Sequence, residues 1–161
     1  MKLHHIAIWT YKLEELRDFY TRYFNGKSNQ KYVNSAKGFE SYFIAFDGET
    51  SLELMSRTDV QNLPIEENRL GLTHMAFTFG SREEVLRQTE RLRADGYVIA
   101  GEPRTSGDGY FESVVLDPDG NRIECVFQNI AVRLNSTTIK IVCSTADFPR
   151  SSIFFSFPSP P

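Results

Sequence analysis

The stretch LGLTHMAFTFGSREEVLRQTERLRADG, residues 70–96, sets a strand signal directly before a helix signal. LGLTHMAFTFG reads as a strand, and SREEVLRQTERLRADG reads as a helix with Ser81 as N-cap, Glu84 three residues on as its capping-box partner and Gly96 as the stop. Three strand segments follow, at 97–100, 111–117 and 121–127, the last two joined by the turn DPDGN. The N-terminal half repeats this order. LHHIAIWT, residues 3–10, is a strand pattern; YKLEELRDFYTRYFNG then carries Leu13, Leu16, Phe19, Tyr20, Tyr23 and Phe24 at helical spacing, with Thr10 as expected N-cap and Gly26 as expected stop. Strand segments at 31–35, 41–46 and 51–57 come next, the last two joined by DGET. The chain therefore reads as an α+β protein built of two βαβββ repeats, about 1–66 and 67–128.

Composition limits the function classes. With 24% charged residues and a formal net charge of -3, there is no basic excess to neutralise phosphates, so nucleic-acid binding has no support. No apolar run is long enough to span a bilayer and the N-terminus lacks a signal-peptide core, so a cytoplasmic protein is expected. Cys125 and Cys143 show no CxxC or disulfide spacing and are expected to be free thiols, Cys125 as core filling. Residues 129–161 read as a C-terminal extension in which TIKIVC is a candidate extra strand and FPSPP an extended end; an arm packing on a partner subunit is the alternative. GxSxG, P-loop and dinucleotide motifs do not occur.

Strand parity selects four side chains. Successive residues of a strand face opposite sides, so His5 opposes Ile6 and Ile8, while His4 shares their packing face. Likewise Glu53 opposes Leu52 and Leu54, His74 opposes Met75, Phe77 and Phe79, and Glu124 opposes Ile123, Cys125 and Phe127. Taken singly, each reads equally as a solvent-facing Glu or a hydrogen-bonded His. Their equivalent placement, one His and one Glu per repeat at nearly the same separation, points to a joint role. If the two sheets face each other, the four meet as a nitrogen and oxygen set suited to a divalent Ni, Co, Zn, Mn or Fe ion, with positions left for a substrate oxygen.

These residues, and above all SVVLDPDGNRIECV at 113–126, resemble the vicinal oxygen chelate superfamily of glyoxalase I, bleomycin-resistance proteins and dioxygenases. The resemblance covers residues 2 to about 128. It implies two half-barrel sheets around a metal held by His5, Glu53, His74 and Glu124, frequent homodimers, and a small-molecule substrate. A His/Glu/His/Glu set is most similar to bacterial glyoxalase I. That likeness implies a lyase or isomerase acting on a thiol adduct of a 2-oxoaldehyde, with proton transfer through a metal-stabilised enediolate and Glu124 or Glu53 as the base. Alternatives within the superfamily are an epimerase, a thiol transferase, a dioxygenase or a non-catalytic binding protein. Arg57, Arg69, Arg104 and Arg122 are candidates for anionic parts of the substrate, each equally readable as a solvated charge. TSGDGYF, residues 105–111, reads as a hairpin connection, with a loop over the cavity as the alternative.

Overall fold

The computed structural model describes residues 1–61 and 70–128. The chain separates into two units, Met1–Gln128 and Asn129–Pro161. Arg69, Cys143 and the expected strand TIKIVC lie outside the described residues.

The first half runs β1 (His5–Trp9), α1 (Leu13–Tyr23), β2 (Lys27–Ser28), β3 (Tyr32–Asn34), β4 (Phe39–Ala45) and β5 (Ser51–Arg57). The second runs β6 (Met75–Thr78), α2 (Arg82–Ala94), β7 (Ile99–Thr105), β8 (Phe111–Leu116) and β9 (Arg122–Phe127). One sheet has the order β1-β5-β4-β2 with β3 on β4, and the other has the order β6-β9-β8-β7. In both, the strand before the helix pairs in parallel with the last strand of its half, and the remaining described pairings are antiparallel. The expected mixed α+β class and the doubled strand-helix-strand order are both present.

Each helix covers one face of its sheet. Leu13, Leu16, Phe19, Tyr20 and Tyr23 form a buried stripe on α1, and Val85, Gln88, Thr89 and Leu92 form one on α2. They pack on Ile44, Leu52, Leu54, Val115, Ile123 and Cys125 in one continuous core. Burying side chains such as Leu16, Phe19 and Leu54 contributes about 1.5–3 kcal/mol each.

The halves meet through side chains of α1. The Tyr20 hydroxyl donates to Asp117 Oδ2 at 2.8 Å, Gln88 Nε2 donates to the Tyr23 carbonyl at 2.7 Å, and the Phe24 and Phe77 rings lie 4.5 Å apart. Burial and the Asp117 charge push the Tyr20 phenol well above its ordinary range, so it remains a donor. Tyr20→Phe keeps the ring packing but leaves Asp117 without this donor; it is expected to cost about 1–2 kcal/mol, read as a lower urea midpoint with an unchanged slope.

Local signals were followed with several departures, among them the short strand β2, which the sequence reading does not include. Ser81 caps α2 as expected, its hydroxyl accepting from Glu84 N at 3.2 Å, while the Glu84 carboxylate accepts from Gly80 N at 2.8 Å. Thr10 does not cap α1: the cap position is Lys12, two residues on, whose backbone N–H donates to Thr10 Oγ1 at 2.7 Å. Beyond Tyr23 the left-handed residue is Asn25, with φ 55, rather than Gly26. Gly26 is required for space, since a Cβ there would lie 2.4 Å from Ile44 Cγ2. Strand β7 continues past Ala100 through Pro103 to Thr105, because shifts of register around Gly101 absorb the missing proline donor. Among the described residues no helix is long and apolar enough to cross a membrane.

Candidate metal centre

The parallel pairings place the expected ligands. Register aligns Ala7 of β1 with Glu53 of β5, and His5 lies two residues before Ala7 on the same face. Register likewise aligns Ala76 of β6 with Glu124 of β9, and His74 stands immediately before the first residue of β6. His5 Nε2 is 3.6 Å from Glu53 Oε2, and His74 Nε2 is 3.4 Å from Glu124 Oε2. The same geometry thus occurs once in each half. On the opposite faces Leu52 and Leu54, and Ile123 and Cys125, are buried under the helices.

The turn DPDGN fixes the position of Glu124. Asp117 Oδ1 accepts from the backbone of Asp119 at 3.0 Å and of Asn121 at 2.8 Å, and Gly120 takes φ 89, a left-handed value that other residues adopt at a cost. A shift of one residue in this turn would send Glu124 to the helix side.

The donor spacing of the second pair, 3.4 Å, suits a shared ion, and that of the first, 3.6 Å, is slightly wider. Two ligand atoms about 2.1 Å from a shared tetrahedral or octahedral cation stand about 3.0–3.4 Å apart. The imidazoles remain accessible, with side chains 38% and 41% exposed, while Glu53 and Glu124 are 15% and 20% exposed. The four side chains do not converge within one chain: among the described residues no three His, Cys, Asp or Glu gather to hold a metal. The expectation that the two sheets of a single chain bring all four together is not met. The helices and the aromatic seam join the halves, leaving each His/Glu pair on an open sheet face.

Two further findings correct or extend the reading of the sequence. His4 does not pack with Ile6 and Ile8; it is exposed, and its Nδ1 lies 2.8 Å from His5 Nδ1. It precedes the first residue of β1, so the pleat does not hold it to the alternation. Glu112 on β8 lies opposite Val126, and Val114, two residues on, lies opposite Glu124, so Glu112 and Glu124 share a face. Its side chain is 12% exposed and pairs with Arg104 Nη2 at 2.9 Å. Burial and the Glu124 charge hold its carboxyl above the usual range, opposed by Arg104. Its signal in the sequence is a carboxylate at the parity of Glu124 inside the apolar FESVVL, on a middle strand of its half.

The other candidates divide. Arg104 borders the second pair through Glu112, whereas Arg57 bonds Asp59 and stacks 5.1 Å over Trp9. Arg122 is engaged by neighbours. The first sheet's open face is aromatic, with Phe43 5.4 Å from the His5 ring and Phe39 6.2 Å from Trp9. His74 borders a groove of about 650 Å³ that also touches Phe24, Asp47 and Phe77, within the size range of small-ligand sites. Residues 105–111 form a closed hairpin, with Ser106 N donating to the Tyr110 carbonyl at 2.8 Å and Gly109 N to that of Ser106 at 3.0 Å. Cys125 is buried core filling as expected, and burial pushes its thiol up to about 12, so it is no nucleophile.

Comparison with known proteins agrees with this architecture. YqjT of Bacillus subtilis, itself uncharacterized, is 27% identical over 131 residues, covering 77% of this chain and 97% of its own. Glyoxalase I of Leishmania major, described as trypanothione-dependent, superposes with a TM-score of 0.66 at 22% identity, covering 89% of this chain and 99% of that one. Maize glyoxalase I superposes with a TM-score of 0.66 at 22% identity over 78% of this chain, which spans only 44% of the maize chain. At such identities these two structures speak for the fold. A sequence model of the Glyoxalase/Bleomycin resistance protein/Dioxygenase superfamily matches residues 2–125, and with the repeated strand-helix-strand halves it establishes that the chain belongs to that superfamily.

Proposed function

We propose that this protein is a metal-dependent lyase of the glyoxalase I type, acting on the adduct of a 2-oxoaldehyde with a thiol. The observation that supports this most is the matched pair of His/Glu half-sites, His5 with Glu53 at 3.6 Å and His74 with Glu124 at 3.4 Å, one in each half. Each pair supplies half of a four-ligand set, so the working enzyme is a homodimer in which a second copy completes each site. The cation, Ni, Co, Zn, Mn or Fe, supplies Lewis-acid polarisation of the substrate carbonyl when bound.

The protein's own residues supply the rest. Glu53 or Glu124 removes the proton from the thiol-bearing carbon of the adduct and returns it to the neighbouring carbon, turning the hemithioacetal into a 2-hydroxy thioester with no net gain or loss of atoms. Phe43 packs edge-on against the His5 ring beside the first pair, and Arg104, held by Glu112, offers its remaining donors to an anionic substrate group beside the second. The reading places the enzyme in the cytoplasm, where thiols stay reduced.

The test is metal analysis of the purified dimer, followed by assay of methylglyoxal with glutathione, cysteine or 2-mercaptoethanol. Stoichiometric divalent metal and thioester formation are expected. Protein that holds no cation and takes none from Ni, Co, Zn or Mn solutions overturns the proposal; bound metal without thioester formation moves the reading to another enzyme of the superfamily.

A further inference from the structure

We infer that the open face of the first sheet binds an aromatic ring, so that the 2-oxoaldehyde part of the substrate carries an aryl group in place of a methyl group. The inference rests on the lyase reading for the reaction and on this sheet face for the ligand. Strand parity and register put Trp9, Met55, Ser41 and Phe39 on the face that carries His5 and Glu53. Trp9 lies opposite Met55 and Met55 opposite Ser41, two residues along each strand from the row of Ala7, Glu53 and Phe43. Two residues of a strand span roughly 7 Å, so a ring bonded to the carbonyl carbon of a substrate held at His5 and Glu53 reaches this row. The floor is low there, since Ala7 is small and Ser41 is buried. Rings stand around it: Phe43 meets His5 at 5.4 Å and 82°, Trp9 meets Phe39 at 6.2 Å and 90°, and Tyr32 meets Phe39 at 6.1 Å and 60°.

The Trp9 indole is exposed and yet held. Trp9 is 42% exposed and Tyr32 54%, and large apolar side chains exposed side by side mark a surface that takes a ligand or a partner. Arg57 lies 5.1 Å over the Trp9 ring and is itself tied to Asp59 by an ion pair, which fixes the indole. A ring held in this way offers its face or edge to a second aromatic group, and such ring pairs add to what burial alone supplies. The second sheet differs: beside His74 and Glu124 its open face carries Glu112 and Arg104 where the first carries rings. The polar thiol part of the adduct therefore belongs to the second half-site, and the apolar side chain of the aldehyde to the first.

The experiment compares the phenylglyoxal and methylglyoxal adducts of one thiol in metal-loaded wild type, Trp9→Leu and Phe39→Leu. In wild type kcat/KM is expected to favour the phenyl adduct by about 10–100-fold, and each substitution should remove most of that preference. Trp9 is the chain's single tryptophan, so its emission reports on this surface without turnover. S-mandeloylglutathione should quench it saturably, and S-lactoylglutathione at the same concentrations should not. A wild-type enzyme that handles both adducts equally or favours methylglyoxal, or a phenyl preference that survives both substitutions, overturns the inference and leaves the lyase reading standing. Emission that changes on dilution to monomer and ignores both thioesters overturns it by giving the face to a second copy. If neither adduct is turned over, the lyase reading falls; saturable quenching by the mandeloyl thioester then upholds the aromatic surface, and no quenching removes it as well.

Discussion

Glu124→Gln is expected to abolish turnover while the fold stays intact. The substitution keeps the shape of the side chain and removes its charge, so both the anionic donor beside His74 Nε2 and a candidate proton acceptor are lost together. Glu124 projects from the open face of β9, and the neighbours that build the core, Ile123 and Cys125, point the other way. Packing therefore changes little and the thermal midpoint should stay within a degree or two. Removal of a general base alone lowers a rate by about 10²–10⁴-fold, and weakened metal binding adds to this. The measurements are kcat with the methylglyoxal adduct, bound metal per chain and the melting curve. A Glu124→Gln enzyme with full activity would refute the role assigned to this carboxylate.

His5→Ala and His74→Ala proteins, each inactive alone, are expected to regain activity when mixed and allowed to exchange subunits. In a twofold dimer whose sites join the first half of one copy to the second half of the other, a mixed dimer holds one site with both lesions and one with none. Random exchange makes about half of the dimers mixed, each with one intact site of two, so recovery should approach about a quarter of the wild-type rate. Sites built within one chain would stay defective in every dimer, and the mixture would remain inactive. The measurement is the rate before and after exchange, with each single variant treated identically. The expectation rests on the proposed shared-site dimer, which is supported by two matched donor pairs per chain and, among the described residues, no group of three.

The glyoxalase-like fold was largely legible because its signals are local. The Ser81 and Glu84 cap, the α1 stripe from Leu13 to Tyr23 and the DPDGN turn each depend on residues within a few positions, and the periods of helix and strand are written in the apolar pattern. Parity inside a strand is equally local, which is why it set His5, Glu53 and Glu124 on the faces they occupy. It failed for His4, which stands just outside β1 where no ladder enforces alternation. Thr10 and Gly26 were read as helix punctuation by residue type, whereas loop geometry gave those tasks to Lys12 and Asn25 and left Gly26 to make room for Ile44.

What the sequence determined by itself was the doubled strand-helix-strand order, though not the extra short strand β2 of the first half, together with the helix-facing side of the paired strands and the placing of one His and one Glu in each half. These rest on backbone hydrogen bonding and on side-chain alternation, both fixed by neighbours in the chain. The tertiary structure alone decided that the pairs stay apart within one chain, that Glu112 and Arg104 stand beside Glu124, and that His4 turns to His5. The first depends on which sheet faces meet across long stretches of chain, where Tyr20 on Asp117 and Phe24 on Phe77 set the packing of the halves, whereas His4 turns to its neighbour because no ladder holds it just before β1.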